Sequence, residues 1–224
     1  MIASAISLFV IAGALQLYSL NIQAANDTLR QSQLNQELRA TLDLLRNDLR
    51  RAGHWMLEPG LDQPEENPFQ ASANDVHFGA ASGEVDDSCI LYSFDLNGDG
   101  LVGVGPSGTP GVNTSNDNLE QFALRLRAGQ VQLRNGGSAF NCTSGSWQAI
   151  TDPDTEITAL HFELLQECLN IIDNQTDCSS GTAALLRRQI HISLAARCRS
   201  DTNIVQQLNN TVSIANDKIF SVYH

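Results

Sequence analysis

The sequence contains almost no lysine and few aromatic residues, and these shortages exclude two classes of protein. Lys218 is the single lysine among thirteen basic residues, against twenty-five acidic ones, so the net charge is −12. A protein that follows nucleic-acid phosphates needs clustered cations, so we expect no nucleic-acid partner. With 17% charged and 6% aromatic residues, the chain is neither a coiled-coil rod nor disordered throughout.

The motifs of the common enzyme and zinc-binding classes are also missing. The sequence has no GxSxG elbow, no P-loop and no complete GxGxxG fingerprint, and its five histidines lack HExxH spacing. Its five cysteines form no CxxC pair, which argues against a structural zinc site. We therefore predict that the protein is not an enzyme.

Charge is absent from the first twenty residues, an apolar run that begins at Met1 and ends at Leu20. Twenty helical residues cover about 30 Å, the thickness of the hydrocarbon core of a bilayer. A cleaved signal peptide, a plain anchor followed by an unrelated helix, and the start of one longer helix are the alternatives. Since no Gly or Pro lies between Gly13 and Gly53, we predict one long helix.

The second part of this helix is amphipathic. Its apolar residues recur in steps of three and four, at Leu34, Leu38, Leu42, Leu45, Leu49 and Ala52. The sequence therefore predicts a transmembrane or assembly half over residues 1–22 and an amphipathic half over residues 23–54. Gly53 is the signal that stops the helix. We expect the stripe formed by Leu34, Leu38, Leu45 and Leu49 to pack on a globular domain.

Residues 55–224 form the predicted head domain, where the apolar period changes from 3.6 to two. Cys89–Phe94 is a compact apolar run, and alternation typical of strands occurs at Phe122–Leu133 with a turn at Ala128-Gly129, at Leu160–Leu164 and at Ile190–Leu194. A last strand is expected over Thr211–Phe220 and a short one near Val76–Phe78. The pattern predicts an antiparallel sheet that is apolar on one face. The fold class is therefore α+β, with the amphipathic half-helix covering the sheet.

The cysteines are best explained by disulfides, because a membrane segment precedes them and implies an oxidising compartment. Cys168 and Cys178 flank a polar loop and can close it locally. Cys89 begins a strand and Cys142 follows the hairpin, so these two can join distant parts of the sheet. Cys198 is then left over, although spacing alone leaves the connectivity open.

The segment from Asp95 to Leu101, DLNGDGL, carries the most specific chemical signal. Side chains of Asp95, Asn97 and Asp99 with the carbonyl of Leu101 provide oxygen ligands that suit calcium. Position 12 of the loop is Pro106 instead of Glu, and a strand precedes it, so an EF-hand is excluded. The site needs further carboxylates from Asp86, Asp87, Asp117 or Glu120. The alternative is an Asx-rich turn without metal.

Five segments taken in order carry a family resemblance. The segment 44–55, LLRNDLRRAGHW, resembles the helix end LxRDLRxAGYW of PilW-type minor pilins. The other four are Cys89–Asp95 with the Asn/Gly/Asp loop that follows it, Phe122–Arg127, Ser146–Trp147 and Thr151–Pro153. Together they resemble the prepilin-peptidase-dependent protein B (PpdB) family of type IV minor pilins, which are PulJ-like, over nearly the whole chain.

This resemblance implies a pilin-like fold and a structural function. A minor pilin would be held in the bacterial inner membrane by its apolar half-helix, with the head in the periplasm. It would then prime the assembly of a type IV pilus and lie near its tip. Its partners would be other minor pilins, the major pilin, the assembly machinery and, before assembly, membrane lipid. The alternatives are a J-type minor pseudopilin of type II secretion and a membrane-anchored, calcium-dependent adhesion module.

Family members also carry a basic leader with a Gly at the peptidase site, followed by a Phe and a Glu. This sequence begins within the apolar segment. Processing, N-methylation and docking through that Glu are therefore assigned to no residue of this sequence.

Overall fold

The protein consists of one long helix and a set of antiparallel strands. The computed structural model describes residues 2–56, 66–103, 120–137, 139–171 and 183–220, apart from the side chains of residues 2–6, 8 and 220. The helices are α1 (Ile2–Leu49) and a short 3-10 helix (Pro68–Gln70). The strands are β1 (His77–Gly79), β2 (Cys89–Ser93), β3 (Gln121–Arg127), β4 (Gln130–Gly136), β5 (Ser146–Ala149), β6 (Thr155–Asn170), β7 (Ala184–Cys198), β8 (Val205–Ser213) and β9 (Lys218–Phe220).

Helix α1 is continuous over 48 residues, so the predicted single long helix is confirmed in the described residues. It ends at Leu49, and turns follow until Gly53, where φ is 71° and the chain leaves the helix direction. The N–H of Gly53 donates to the carbonyl of Ser93 at 2.8 Å. The helix end is therefore fixed to the end of β2.

The head contains two described sheets, whereas the sequence predicted one. Strands β1 to β5 form an antiparallel sheet in chain order, and β6, β7 and β8 form another in which β9 also pairs with β7. The sheets meet where the N–H groups of Phe162 and Ile157 donate to the carbonyls of Asp87 and Gly129, at 2.9 and 2.8 Å. The two sheets are therefore joined by single hydrogen bonds instead of a continuous ladder. Alternation along one strand cannot predict where a ladder is interrupted.

Two further strand predictions need correction. The strand expected over Thr211–Phe220 is the end of β8 plus β9, because the chain bends between them. At the bend, the N–H of Ile214 donates to the carbonyl of Arg188, and that of Ala215 to Arg50. Strand β5 was not predicted, since its short segment SWQA shows little alternation.

The core lies between α1 and the two sheets. The four leucines of the predicted stripe are buried, and Leu38, Leu45 and Leu49 have no exposed surface. They share one cluster with side chains from both sheets, including Ile90, Tyr92, Leu124, Leu160, Ile192 and Val212. Burial of a leucine side chain contributes about 1.5–3 kcal/mol, so this stripe is a main attachment of the helix to the head.

Every described side chain of α1 before Leu34 is exposed, so the contacts with the head begin at Leu34 instead of residue 23, where the amphipathic half was predicted to start. Phe9 is 83% exposed, Leu15 63% and Tyr18 66%, and the large apolar residues continue to Leu29 without burial. Within the described residues, no helical segment is both long enough and apolar enough to span a bilayer. The predicted transmembrane segment, residues 1–22, lies partly outside the described side chains, and membrane insertion stays a prediction.

Candidate functional site

The loop after β2 folds around the carboxylate of Asp95, which is 6% exposed. Oδ1 accepts a hydrogen bond from the N–H of Gly98 at 2.6 Å, and Oδ2 accepts from the N–H groups of Gly100 and Met56, both at 3.1 Å. Trp55 Nε1 donates to the carbonyl of Gly100 at 3.2 Å. The loop therefore holds the segment that directly follows the helix end.

The other predicted ligands form successive turns in the same loop. Asn97 Oδ1 accepts from the N–H of Asp99 at 3.0 Å, and Asp99 Oδ1 accepts from the N–H of Leu101 at 2.8 Å. Gly100 has φ of 74°, a left-handed conformation that favours glycine. These bonds are those of an Asx-rich turn. Asp99 Oδ2 also accepts from Asn97 Nδ2 at 2.9 Å, so both oxygens of Asp99 are hydrogen-bonded without a metal.

Glu120, at the start of β3, completes the cluster. Ligand oxygens of Asp95, Asp99 and Glu120 lie within 4.8 Å of one another. Glu120 also accepts hydrogen bonds from the N–H groups of Leu96 at 2.9 Å and Gly103 at 3.1 Å. Desolvation raises the pKa of Glu120 and outweighs these bonds, and the charge of Asp95 adds to the increase. A carboxylate whose charge is disfavoured in this way gains from a nearby cation.

Not every carboxylate that the sequence offered to the loop reaches it. Among the described residues, Asp86 and Asp87 are not part of the cluster, and Asp117 lies outside the described residues. Glu120 was one of the four candidates from the sequence. Three carboxylates whose oxygens lie within 4.8 Å of one another offer part of the ligand set of a hard cation such as calcium, which prefers six to eight oxygen ligands.

One disulfide joins the sheet to the loop before β5. Cys89 and Cys142 are bonded with their Cα atoms 6.1 Å apart, which agrees with one of the two expected pairs. Cys168 is also disulfide-bonded, and its expected partner Cys178 lies outside the described residues. Cys198 is a free thiol, 3.2 Å from the hydroxyl of Ser200.

An ionic cluster that the sequence reasoning missed anchors the segment before β1. Asp75 contacts Arg188 of β7 and also accepts a hydrogen bond from Lys218 Nζ at 2.8 Å. Burial alone would raise the pKa of Asp75, but the bond from Lys218 and the charge of Arg188 outweigh it, so that its pKa is lowered. The signal was available, because Arg188 lies on the same alternating face as Ile190 and Ile192.

These features define the class of protein: a head of two antiparallel sheets, stabilised by disulfides, carried on a helix that exposes its large apolar side chains from Phe9 to Leu29. The chain belongs to the prepilin peptidase-dependent protein B family, whose family model matches residues 27–214. This is a pilus-associated, structural family, which indicates a location in the cell envelope or the pilus and contacts with other pilus components.

The chain is also similar to an individual protein from a bacterium. An uncharacterized protein of Haemophilus influenzae is 27% identical over 159 residues, covering 60% of this chain and 67% of its own length. No solved structure matches the chain. The resemblance stated from the sequence motifs is thus confirmed at the level of the family.

Proposed function

We propose that this protein is a minor pilin that primes the assembly of a type IV pilus and is incorporated near its tip. The observation that carries the proposal is the contrast within α1. The apolar stripe from Leu34 to Ala52 is buried in the head, while residues 9–29 expose one large apolar side chain after another. An exposed apolar surface of this extent marks a contact with lipid or with other proteins.

The exposed half-helix suits both environments that a pilin meets. Before assembly, residues 1–22 would lie in the inner membrane, with the head in the periplasm. After assembly, the same side chains would pack against the helices of neighbouring minor and major pilins. The exchange replaces one apolar environment by another, so it costs little hydrophobic free energy.

The test is a complementation experiment in a piliated bacterium that lacks this gene. We expect the full chain to restore pili, and Leu17→Asp, which places a charge on the exposed apolar surface, to abolish the restoration. Leu44→Asp is the matched control, because Leu44 is 40% exposed in the half that the head supports. Pilus number would be measured by shearing and immunoblotting, and location by immunogold labelling of tips.

The same experiment separates this function from its closest alternative. Normal pili in the deletion strain would contradict a minor pilin. If such a strain instead loses secretion of folded periplasmic proteins, the chain acts as a J-type minor pseudopilin. A strain with normal pili and normal secretion would contradict both functions.

The division of the helix also predicts what a truncated chain does. A fragment of residues 23–224, secreted to an oxidising compartment, should fold as a monodisperse soluble domain, because residues 9–22 contribute no buried side chain to the head. Circular dichroism and gel filtration would measure this. Aggregation of the fragment would show that the first half supports the head after all.

We also propose that the loop of Asp95, Asn97, Asp99 and Leu101 binds calcium. The supporting observation is the approach of Glu120 to Asp95 and Asp99. Bound calcium would offset the repulsion among three carboxylates and stabilise the end of the helix through Met56. A calcium-dependent adhesion function would follow only if the head captured a ligand in calcium and released it in chelator.

A further inference from the structure

Strand β6 has an open edge over its second half. It pairs with β7 along its whole length, and on its other side the N–H groups of Ile157 and Phe162 donate to carbonyls beside the five-stranded sheet. Backbone groups point to alternate sides of a strand, so those of Leu164 and Gln166 point the same way as those of Phe162. On that side, the backbone of neither residue has a hydrogen-bond partner in the described part of the chain.

The pairing of β7 with β8 confirms this direction. The C=O of Arg188 accepts a hydrogen bond from the N–H of Ile214, so the backbone groups of Arg188 point away from β6. Gln166 lies opposite Arg188, and its own groups therefore point away from β7. An unpaired strand edge can add a further extended chain. Residues 163–167 are accordingly a candidate interaction surface, which we call the β6 edge.

The β6 edge lacks several features that prevent an edge strand from pairing. Residues 162–170 include no proline and no lysine, and the register shift of β6 lies earlier, between Ile157 and Ala159. Apolar side chains are exposed along this part of the strand, Leu165 at 43% and Leu169 at 41%. A partner strand would thus pair the free backbone groups and also cover apolar surface.

Two glutamates decide which partner suits the β6 edge. Glu163 and Glu167 lie on the same face as Leu165, since side chains alternate along a strand. Glu167 is 4.0 Å from Arg187 in an exposed pair, which contributes little. Two copies of β6 paired antiparallel about Leu165 would place Glu163 opposite Glu167, and like charges in that position are destabilising. The charges therefore favour a partner with cations over a second copy of this chain.

We propose that the β6 edge binds an extended segment of another protein with the pattern basic-x-apolar-x-basic. In antiparallel pairing, the two basic residues would lie opposite Glu163 and Glu167, and the apolar residue opposite Leu165. These are the non-hydrogen-bonded positions, where side chains of paired strands are closest. The backbone of the segment would bond the free groups of Leu164 and Gln166, as in other cases of strand addition.

Strand β8 is the other edge of the same sheet and provides an internal control. Its residues Val205–Ser213 include no charged side chain. Asn209 is exposed, and by the same alternation its N–H points away from β7. An edge without carboxylates offers the basic residues no counter-ion. We therefore expect the segment to bind β6 and not β8.

The test uses the full chain in zwitterionic detergent micelles, with the capped peptide TKTVTKT as the probe and TETVTET as its control. Binding would be followed by NMR through the backbone amide signals around Leu164. We expect saturable shifts with TKTVTKT only. Gln166→Pro removes an outward N–H and should weaken binding about fivefold to tenfold, the value of one hydrogen bond. Gln166→Ala, which keeps the N–H, and Asn209→Pro, the same change on β8, should preserve binding.

The charges are tested separately from the backbone. Glu163→Gln with Glu167→Gln should weaken binding of TKTVTKT about fivefold, because two cross-strand charge pairs are lost. Both side chains are exposed, so this variant should keep the fold of the head.

Four results would overturn the proposal. They are no saturable shift with TKTVTKT, equal binding of the two peptides, equal weakening by Gln166→Pro and Asn209→Pro, and unchanged binding in the double glutamine variant. Shifts at Leu164 that depend on protein concentration alone, with a doubled mass in sedimentation, would assign the β6 edge to a second copy of the chain. The test involves no fibre, so its outcome is independent of the complementation experiment on the pilin function.

Discussion

The two halves of α1 share one helix geometry but differ in what surrounds them. In the second half, Leu38, Leu45 and Leu49 are completely buried against both sheets. In the first half, Phe9 and Tyr18 are 83% and 66% exposed. The difference teaches that the fold of the head and the function of the chain depend on separate residues of one helix. A substitution in the exposed half should therefore leave the stability of the head unchanged. A substitution in the buried half should leave the apolar surface of the exposed half unchanged.

The largest effect should come from a cavity in the supported half. Leu45→Ala removes a side chain with no exposed surface, and such changes cost about 2–5 kcal/mol of unfolding free energy. Leu17→Ala, the matched change at a residue 65% exposed, should leave it unchanged within about 0.5 kcal/mol. Thermal unfolding of the full chain in detergent measures both. Equal losses would mean that the two halves are equally supported.

The ionic cluster of Asp75, Arg188 and Lys218 lies in the head and not in α1. Substituting its acid therefore measures a contribution to stability that does not come from the helix. Asp75→Asn removes the acid between Arg188, whose side chain is 2% exposed, and Lys218. We expect a loss of about 1.5–3 kcal/mol, the value of hydrogen bonds to charged groups, because Arg188 and Lys218 lose their shared counter-ion. Lys218→Gln should cost less, since Lys218 is 25% exposed.

The same cluster predicts a dependence on pH. Because the pKa of Asp75 is lowered on folding, its contribution is complete above the ordinary carboxyl value of 3.8 and is lost as pH falls through the lower folded value. The difference in melting temperature between the unmutated chain and Asp75→Asn should therefore shrink below pH 4 or so. A difference that stays constant down to pH 2 or so would contradict the assigned cause.

A smaller loss of stability should come from substituting Glu37, whose carboxylate joins the buried part of α1 to the start of β6. Its Oε1 accepts from the N–H of Asp152 at 2.5 Å, and its Oε2 accepts from the hydroxyl of Thr155. Hydrogen bonds to charged groups contribute about 1.5–3 kcal/mol each, and Glu37→Gln should cost less than this because its amide keeps one acceptor oxygen. Asp27→Asn is the control at an exposed residue of α1 before Leu34 and should have no effect. A comparable loss in both variants would indicate general charge effects on the helix.

Local sequence patterns predicted the long helix and most of the strands, whereas contacts between residues distant in sequence determine how the strands are arranged. The turn at Ala128-Gly129 was predicted from two residues, and both have positive φ, at 51° and 73°. The long helix likewise follows from its own period. The division into two sheets and the bend between β8 and β9 depend on hydrogen bonds to Asp87, Gly129 and Arg50, which are distant in sequence. For the candidate site, Asp95 and Asp99 were predicted, and only the fold selects Glu120.

The smallest effect on stability should come from calcium bound next to the end of α1. Asp95 bonds the N–H of Met56 just after the helix, so an ion held by Asp95, Asp99 and Glu120 should stabilise this connection. At a calcium concentration about five times the dissociation constant, the gain is about 1 kcal/mol, or about 2–4 °C in melting temperature. The measurement compares calcium with chelator for the full chain. Asp99→Ala should abolish the shift. Asp201→Ala, which removes a similar Asx turn elsewhere in the head, should preserve it, because Asp201 bonds only the nearby Asn203. Equal melting temperatures of the unmutated chain in calcium and in chelator would reduce the loop to a hydrogen-bonded turn.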